Sequence, residues 1–200
     1  MGEATALKLA IDLLHVPSRV RPMRAAALPR DVLTLLEIAA GDADATRRAS
    51  EASGRTQKVV RDAAAFFIEQ ILLAPGADSY RVLGGSAQTG NSDLRRNMAL
   101  LLRWLHPDME HNGTGDRSVF ASRITLAWEN LKTAERRAAY DAQHQGGANG
   151  PTGRSKSGTR RRTVSKQLWA GPHAARYGRT DRPPAGLWRA LLMLFGVARH

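Results

Sequence analysis

Two hundred residues allow one or two small domains, and the absence of cysteine excludes a disulfide framework and a thiolate metal site. Thirty Lys and Arg against 18 Asp and Glu give a formal net charge of +12, and no apolar run approaches the ~20 residues that span a bilayer. The charge is uneven: residues 1–77 and 78–144 are each near neutral, whereas residues 145–200 carry 11 basic residues against the single acid Asp181. Basicity is therefore a property of the tail, and it implies an acidic partner or surface there. The start, Met1-Gly2-Glu3-Ala4, lacks the basic and long apolar parts of a signal sequence, and Ala6 stands where a myristoylation motif wants Ser or Thr. The expectation is a soluble, cytoplasmic protein with no transmembrane segment.

In chain order, residues 1–77 read as a helical region. Thr5 to His15 is a short amphipathic helix, and Pro17, Pro22 and scattered Arg read as a connector. Pro29-Arg30-Asp31 starts a helix through Ala40, with Val32, Leu35, Leu36 and Ala39 on one face and Gly41 as its stop. Asp42 or Asp44 can cap a further helix ending near Gly54. Thr56 caps a longer one through Ala74, whose inward stripe is Val60, Ala63, Phe67, Ile71 and Ala74. Phe66 and Phe67 read as core. These helices are expected to form a small bundle packed against the segment 78–144, and none carries recognisable chemistry.

Pro75-Gly76 ends the bundle and Asp78 caps a new helix, opening the segment 78–144. Leu94, Met98, Leu101, Leu102 and Leu105 recur at helical spacing, with Asp93 or Ser92 as candidate caps. Phe120, Ile124, Ala127 and Leu131 repeat at i, i+4, i+7 and i+11, flanked by Trp128. The short polar loop between the two patterns, 110–116, predicts an antiparallel hairpin. Pro107 lacks an N–H and disfavours helix at His106, so the tripeptide His106-Pro107-Asp108 is at the least a helix stop. Arg96 and Arg103 fall together, opposite the apolar face. Thr133 to Arg137 opens a last helix that ends near Gln143.

Taken together, Tyr80-Arg81-Val82-Leu83-Gly84, Leu94-Arg95-Arg96, His106-Pro107-Asp108, the Phe120-x-x-Ile124-x-x-Ala127-Trp128-Glu129-x-Leu131 helix and Glu135-Arg136-Arg137-Ala138-Ala139-Tyr140-Asp141 resemble the J domain of the DnaJ family. The resemblance implies a four-helix J domain that catalyses nothing itself and stimulates ATP hydrolysis by a DnaK-type chaperone. By that resemblance Asp108 meets a basic group on the ATPase, His106 helps hold the loop, and the outward basic face, with Arg95, Arg96 and Arg103, docks on an acidic part of the partner. The family's two mid-helix basic positions read Ala99 and Leu100 here, and its Lys-Tyr before the His reads Trp104-Leu105. Positive charge is thinner at the helix centre, which implies weaker docking or a specialised partner. The family's four-repeat cysteine zinc domain is absent from the sequence.

A metal reading of His106, Asp108, Glu110 and His111 is set aside, because a Gly-flanked loop gives these ligand types no regular face. Gly146 to Gly158 is a Gly-rich linker. Beyond it, Arg160-Arg161-Arg162 and the interleaving of Trp169, Tyr177 and Trp188 with Arg176, Arg179, Arg182 and Arg189 make 154–199 a candidate for nucleic acid or anionic lipid. The bland alternative is a largely disordered, solubilising tail. Residues 186–195 are apolar enough for a short helix that folds back or lies on a membrane surface or partner.

The expectation is an all-α protein: helical region 1–77, J domain 78–144, and linker with basic tail 145–200. Its function would be that of a cytoplasmic co-chaperone of the stress response, not an enzyme and without cofactor or metal. Its partners would be a DnaK-type chaperone ATPase and unfolded or specific client proteins. The rival is a nucleic-acid- or anionic-membrane-binding protein that acts through the tail and keeps the hairpin as scaffold.

Overall fold

A computed structural model of the chain describes residues 5–106 and 116–148, and every described element is helical. Helix α1 (Ala6–His15) begins where Thr5 Oγ1 accepts from the Lys8 N–H at 3.3 Å. Asp31 adds a second cap to α1, its Oδ1 accepting from the Ala6 N–H at 2.9 Å. That engagement takes Asp31 away from the helix it precedes, α3 (Val32–Ala39), which has no side-chain cap.

The segment expected to be a connector is instead helical, a 3-10 turn at Pro17–Arg19 leading into α2 (Val20–Ala25). Both prolines fall in a first turn, where the missing N–H has no intrahelical partner to lose. Of the two candidate caps for α4 (Ala43–Ser53), Asp42 is the one used, accepting from the Ala45 N–H at 2.8 Å, while Asp44 pairs with Arg47. Gly54 closes that helix at φ +64°, a left-handed geometry that glycine adopts without steric cost.

Helix α5 (Gln57–Phe67) is the centre of the bundle, contacted by α1, α3 and α4. Its stripe of Val60, Ala63, Phe67, Ile71 and Ala74 is buried as expected, and Phe66 is half-buried beside it. The end differs: Ile68–Leu72 is a π turn, with the Leu73 N–H donating to Ile68 C=O at 2.8 Å. The wider turn keeps Ile68, Ile71, Leu72 and Leu73 all inside, more than one helical stripe could bury. It also leaves the Leu73 C=O to accept from the guanidinium of Arg123, fifty residues further along the chain. Each fully buried Leu, Ile or Phe here contributes roughly 1.5–3 kcal/mol of apolar burial.

The second half consists of α6 (Ser79–Val82), α7 (Asn91–Trp104), α8 (Arg117–Leu131) and α9 (Ala134–Ala148). Asp78 caps α6 as expected, accepting from the Arg81 N–H at 2.9 Å. Neither Ser92 nor Asp93 caps α7: the N-cap is Gly90, and Asp93 lies inside the first turn, 3.5 Å from Arg96. Helix α9 runs past its expected end near Gln143 to Ala148, because a glycine pair costs about 1 kcal/mol per residue in a helix without breaking it. The remainder of the linker, the basic tail and the apolar segment 186–195 lie outside the described residues.

The bundle packs on the second half through α3 against α7, as expected, and all described residues fall in one compact unit. Gly84, at φ +63°, lies against α3, where an added Cβ would stand 3.1 Å from Val32 Cγ1 and 3.5 Å from Leu36 Cδ1. Gly84→Ala is therefore expected to destabilise the protein by about 1–2 kcal/mol through the left-handed backbone alone, with the contact adding to it. Equilibrium denaturation measures this, and an unchanged midpoint would mean that residue 84 does not hold the left-handed conformation.

Candidate functional site

The site is a helical hairpin and its tip. Helices α7 and α8 are antiparallel, tied at both ends by identifiable contacts. At the open end Asn91 Nδ2 donates to the C=O groups of Leu131 and Lys132, each at 3.1 Å. Near the tip Trp104 stacks on Phe120, ring centroids 6.3 Å apart. Between them Leu94, Met98, Leu101 and Leu105 bury against Phe120, Ile124, Ala127 and Leu131, the two faces expected from the sequence. Leu102 and Trp128 are only half-buried at the margin. Trp104, at 3% exposure, belongs to this core although the spacing of leucines did not place it there.

The outward face of α7 carries the cations. Arg95, Arg96 and Arg103 are all exposed, and among the described residues only Arg96 has a carboxylate nearby, Asp93 at 3.5 Å. With both partners about half exposed, that pair contributes little to stability and leaves Arg96 free to exchange partners. Ala99, exposed, and Leu100, half-exposed, lie between the arginines. His106 is half-buried at the end of the helix, its N–H donating to Arg103 C=O at 3.0 Å. Pro107 and Asp108, with Glu110 and His111 of the metal reading, lie outside the described residues. Among the described residues no cluster of three metal-ligand types occurs, and no helix is long and apolar enough to cross a membrane. On the far side of the loop Asp116 caps α8, its Oδ1 accepting from Ser118 Oγ and N–H, both at 2.8 Å. These bonds from Ser118 hold its carboxyl below the ordinary range.

A clamp at the other end holds the hairpin to its flanking helices. Arg137 of α9 donates Nε to Tyr80 Oη at 2.9 Å, one terminal nitrogen to Thr89 C=O at 3.0 Å and the other to Ala87 C=O at 2.5 Å. Its guanidinium also lies 5.1 Å from the centroid of the Tyr80 ring. Tyr80 in turn donates to Asp141 Oδ1 at 2.7 Å, and Tyr140 Oη accepts from the Ser79 N–H at 2.8 Å. Burial first, then the bond to Asp141, pushes the Tyr80 phenol above its ordinary range. Asn97, buried in α7, donates to Leu83 C=O at 2.9 Å and completes the α6–α7 corner. The sequence pattern marked Tyr80, Tyr140 and Asp141 but gave no signal for the clamping role of Arg137 or for Asn97, whose partners are backbone carbonyls of a loop.

These contacts define an all-α protein built around a rigid antiparallel hairpin with a basic outward face, the class to which J domains belong. A stretch of 83 residues, 41% of the chain, is 36% identical to human DnaJ homolog subfamily C member 16. The chain is thus related to the DnaJ family, as the motifs indicated. The match covers 10% of that relative's length. No protein-family model and no solved structure matches the chain.

Proposed function

We propose that the chain is a co-chaperone that docks on a DnaK-type ATPase through the outward face of α7 and the His106-Pro107-Asp108 loop, accelerating ATP hydrolysis so that the partner closes on a client. The observation that carries this reading is the exposed line of Arg96 and Arg103 leading along a rigid helix to His106. Arg95 adds charge at the edge of that line. Exposed guanidiniums on a preorganised helix favour an acidic partner by raising the association rate and fixing register. The J domain would then comprise residues 78–144, with residues 1–77 setting its context. In this reading the protein acts in the cytoplasm, as part of protein folding and the stress response, and performs no chemistry of its own.

The double variant Arg96→Glu/Arg103→Glu tests the docking face. Its affinity for a DnaK-type chaperone is expected to fall by about ten- to a hundred-fold, with a shallower salt dependence. Its unfolding free energy should stay within ~0.5 kcal/mol, since all the altered atoms are exposed. Unchanged affinity for a chaperone that the wild type binds would remove α7 from the interface.

The excess of ten positive charges in residues 145–200 supports a second activity, salt-dependent binding of nucleic acid or anionic lipid through the tail. A hairpin used only as scaffold for that tail would tolerate the double variant without loss.

A further inference from the structure

We propose that α4 and α5 form a helix–turn–helix, and that the exposed start of α5 reads the major groove of double-stranded DNA. This surface shares no residue with α7 or with the 106–108 loop, so it stands apart from the docking face.

The two helices are joined by a short turn whose shape is fixed. Helix α4 ends at Ser53, α5 begins at Gln57, and only Gly54, Arg55 and Thr56 lie between. Two helices joined in this way, often through glycine, are the helix–turn–helix unit, whose second helix enters the groove. At Gly54, φ +64°, an added Cβ would meet nothing within 4 Å, so the glycine serves the left-handed turn and not packing. Ser50 Oγ donates to Arg55 C=O at 2.5 Å, and Thr56 Oγ1 accepts from the Val59 N–H at 3.4 Å, which ties both sides of the turn. Helix α4 buries only small side chains, Ala45, Thr46 and Ala49, which let it lie close to its neighbours. Helices α3, α4 and α5 each contact the other two, and helix–turn–helix units also occur in such three-helix sets. Helix α5 is exposed where it leaves the turn. Gln57, Lys58 and Arg61 are exposed there, whereas Val60, Ala63, Ala64 and Phe67 are buried. Gln57 and Arg61 are four residues apart and Lys58 and Arg61 three, so all three share one face. The first residues of a recognition helix are the ones that reach base edges.

Charge and residue type choose the occupant. On α4 the exposed Arg47 and Arg48 are offset by Asp44 and Glu51, both paired with Arg47. The turn and the start of α5 carry the cations Arg55, Lys58 and Arg61 against the single acid Asp62, 2.7 Å from Lys58, so positive charge remains in excess. The large hydrophobics exposed among the described residues, Val16, Val119 and Leu126, all lie elsewhere. A protein partner is anchored by apolar side chains at the centre of its interface, and a polar, cationic face suits a polyanion better. No aromatic residue precedes Phe66 in the sequence, so unpaired bases have nothing to stack on here. The major groove of double-stranded RNA is too deep and narrow for side chains to read. That of B-form DNA admits a helix, and there Gln and Arg bond bidentately to adenine and guanine edges.

The test uses the full-length chain and a library of random-sequence DNA duplexes, because the basic tail gives attraction without sequence preference. Repeated selection should enrich one sequence, bound at least about tenfold more tightly than a scrambled duplex of the same composition. Guanine N7 atoms within it should be protected from methylation, since N7 lies in the major groove. Gln57→Ala and Arg61→Ala should each lower the preference for the selected duplex by about fivefold or more, with thermal unfolding unchanged because both side chains are exposed. Arg61→Lys keeps the charge but loses the planar fork. It should lower the preference while leaving affinity for the scrambled duplex as in the wild type. Failure to enrich any sequence would overturn the assignment and leave DNA binding to the tail. So would a preference that survives all three variants, or equal affinity for the separated strands of the selected duplex.

Discussion

Arg137→Ala is expected to cost about 3 kcal/mol of unfolding free energy, the largest stability effect of any single half-exposed side chain in the second half of the protein. One guanidinium donates to Tyr80 Oη, Thr89 C=O and Ala87 C=O, and lies over the Tyr80 ring. Truncation leaves two carbonyls of the 84–90 loop without their donor and removes the cation–π contact, worth roughly 0.5–2 kcal/mol by itself. In a domain of this size the loss corresponds to a fall of about 6–12 °C in Tm. Arg137→Lys should recover only part of it, because an ammonium cannot span three acceptors in one plane. Thermal unfolding followed by circular dichroism measures both variants. A shift of less than about 2 °C for Arg137→Ala would show that α9 is not clamped to α6 through this residue.

Asp108→Asn is expected to abolish productive docking while leaving folding unchanged. The substitution keeps size and polarity and removes one negative charge. If Asp108 is exposed in the free protein, the change in stability stays within ~0.5 kcal/mol, as for most surface substitutions. At the interface the carboxylate would lose a charge-assisted bond to a cation of the partner, worth about 2–5 kcal/mol when desolvated, or roughly thirty- to several-thousand-fold in affinity. Isothermal titration against a DnaK-type chaperone measures it. His106→Gln should weaken binding in the same direction, and Glu110→Gln should do little. A large loss of thermal stability in Asp108→Asn would instead make the residue a structural cap, and the tripeptide no more than a helix stop.

Periodicity and capping residues made most of the fold legible. Thr5, Asp42, Thr56 and Asp78 each cap the helix that their position predicts, because a short side-chain oxygen beside a free N–H is a local event. The apolar faces of α7 and α8 were legible for the same reason, since a 3.6-residue period survives in the sequence wherever one face is buried. Where tertiary contacts compete with local rules, the pattern misleads. Asp31 is drawn to the Ala6 N–H, twenty-five residues away, and leaves α3 uncapped. The π turn at Ile68–Leu72 is set by the need to bury consecutive apolar residues, and a helical stripe does not encode it. At the site, Arg96 and Arg103 are exposed as their helical angles require, and Arg95 is exposed beside them. The clamp made by Arg137 was not legible, because its acceptors are main-chain carbonyls whose positions depend on the loop and not on any residue type.

The most direct test of the docking reading is single-turnover ATP hydrolysis by a DnaK-type chaperone with and without this protein. Full-length protein at saturating concentration is expected to raise the hydrolysis rate well above the chaperone's own, in a manner that saturates with concentration and vanishes with Asp108→Asn. An unchanged rate with a chaperone that demonstrably binds the protein, or equal stimulation by wild type and Asp108→Asn, would contradict the co-chaperone function and leave the hairpin as a scaffold.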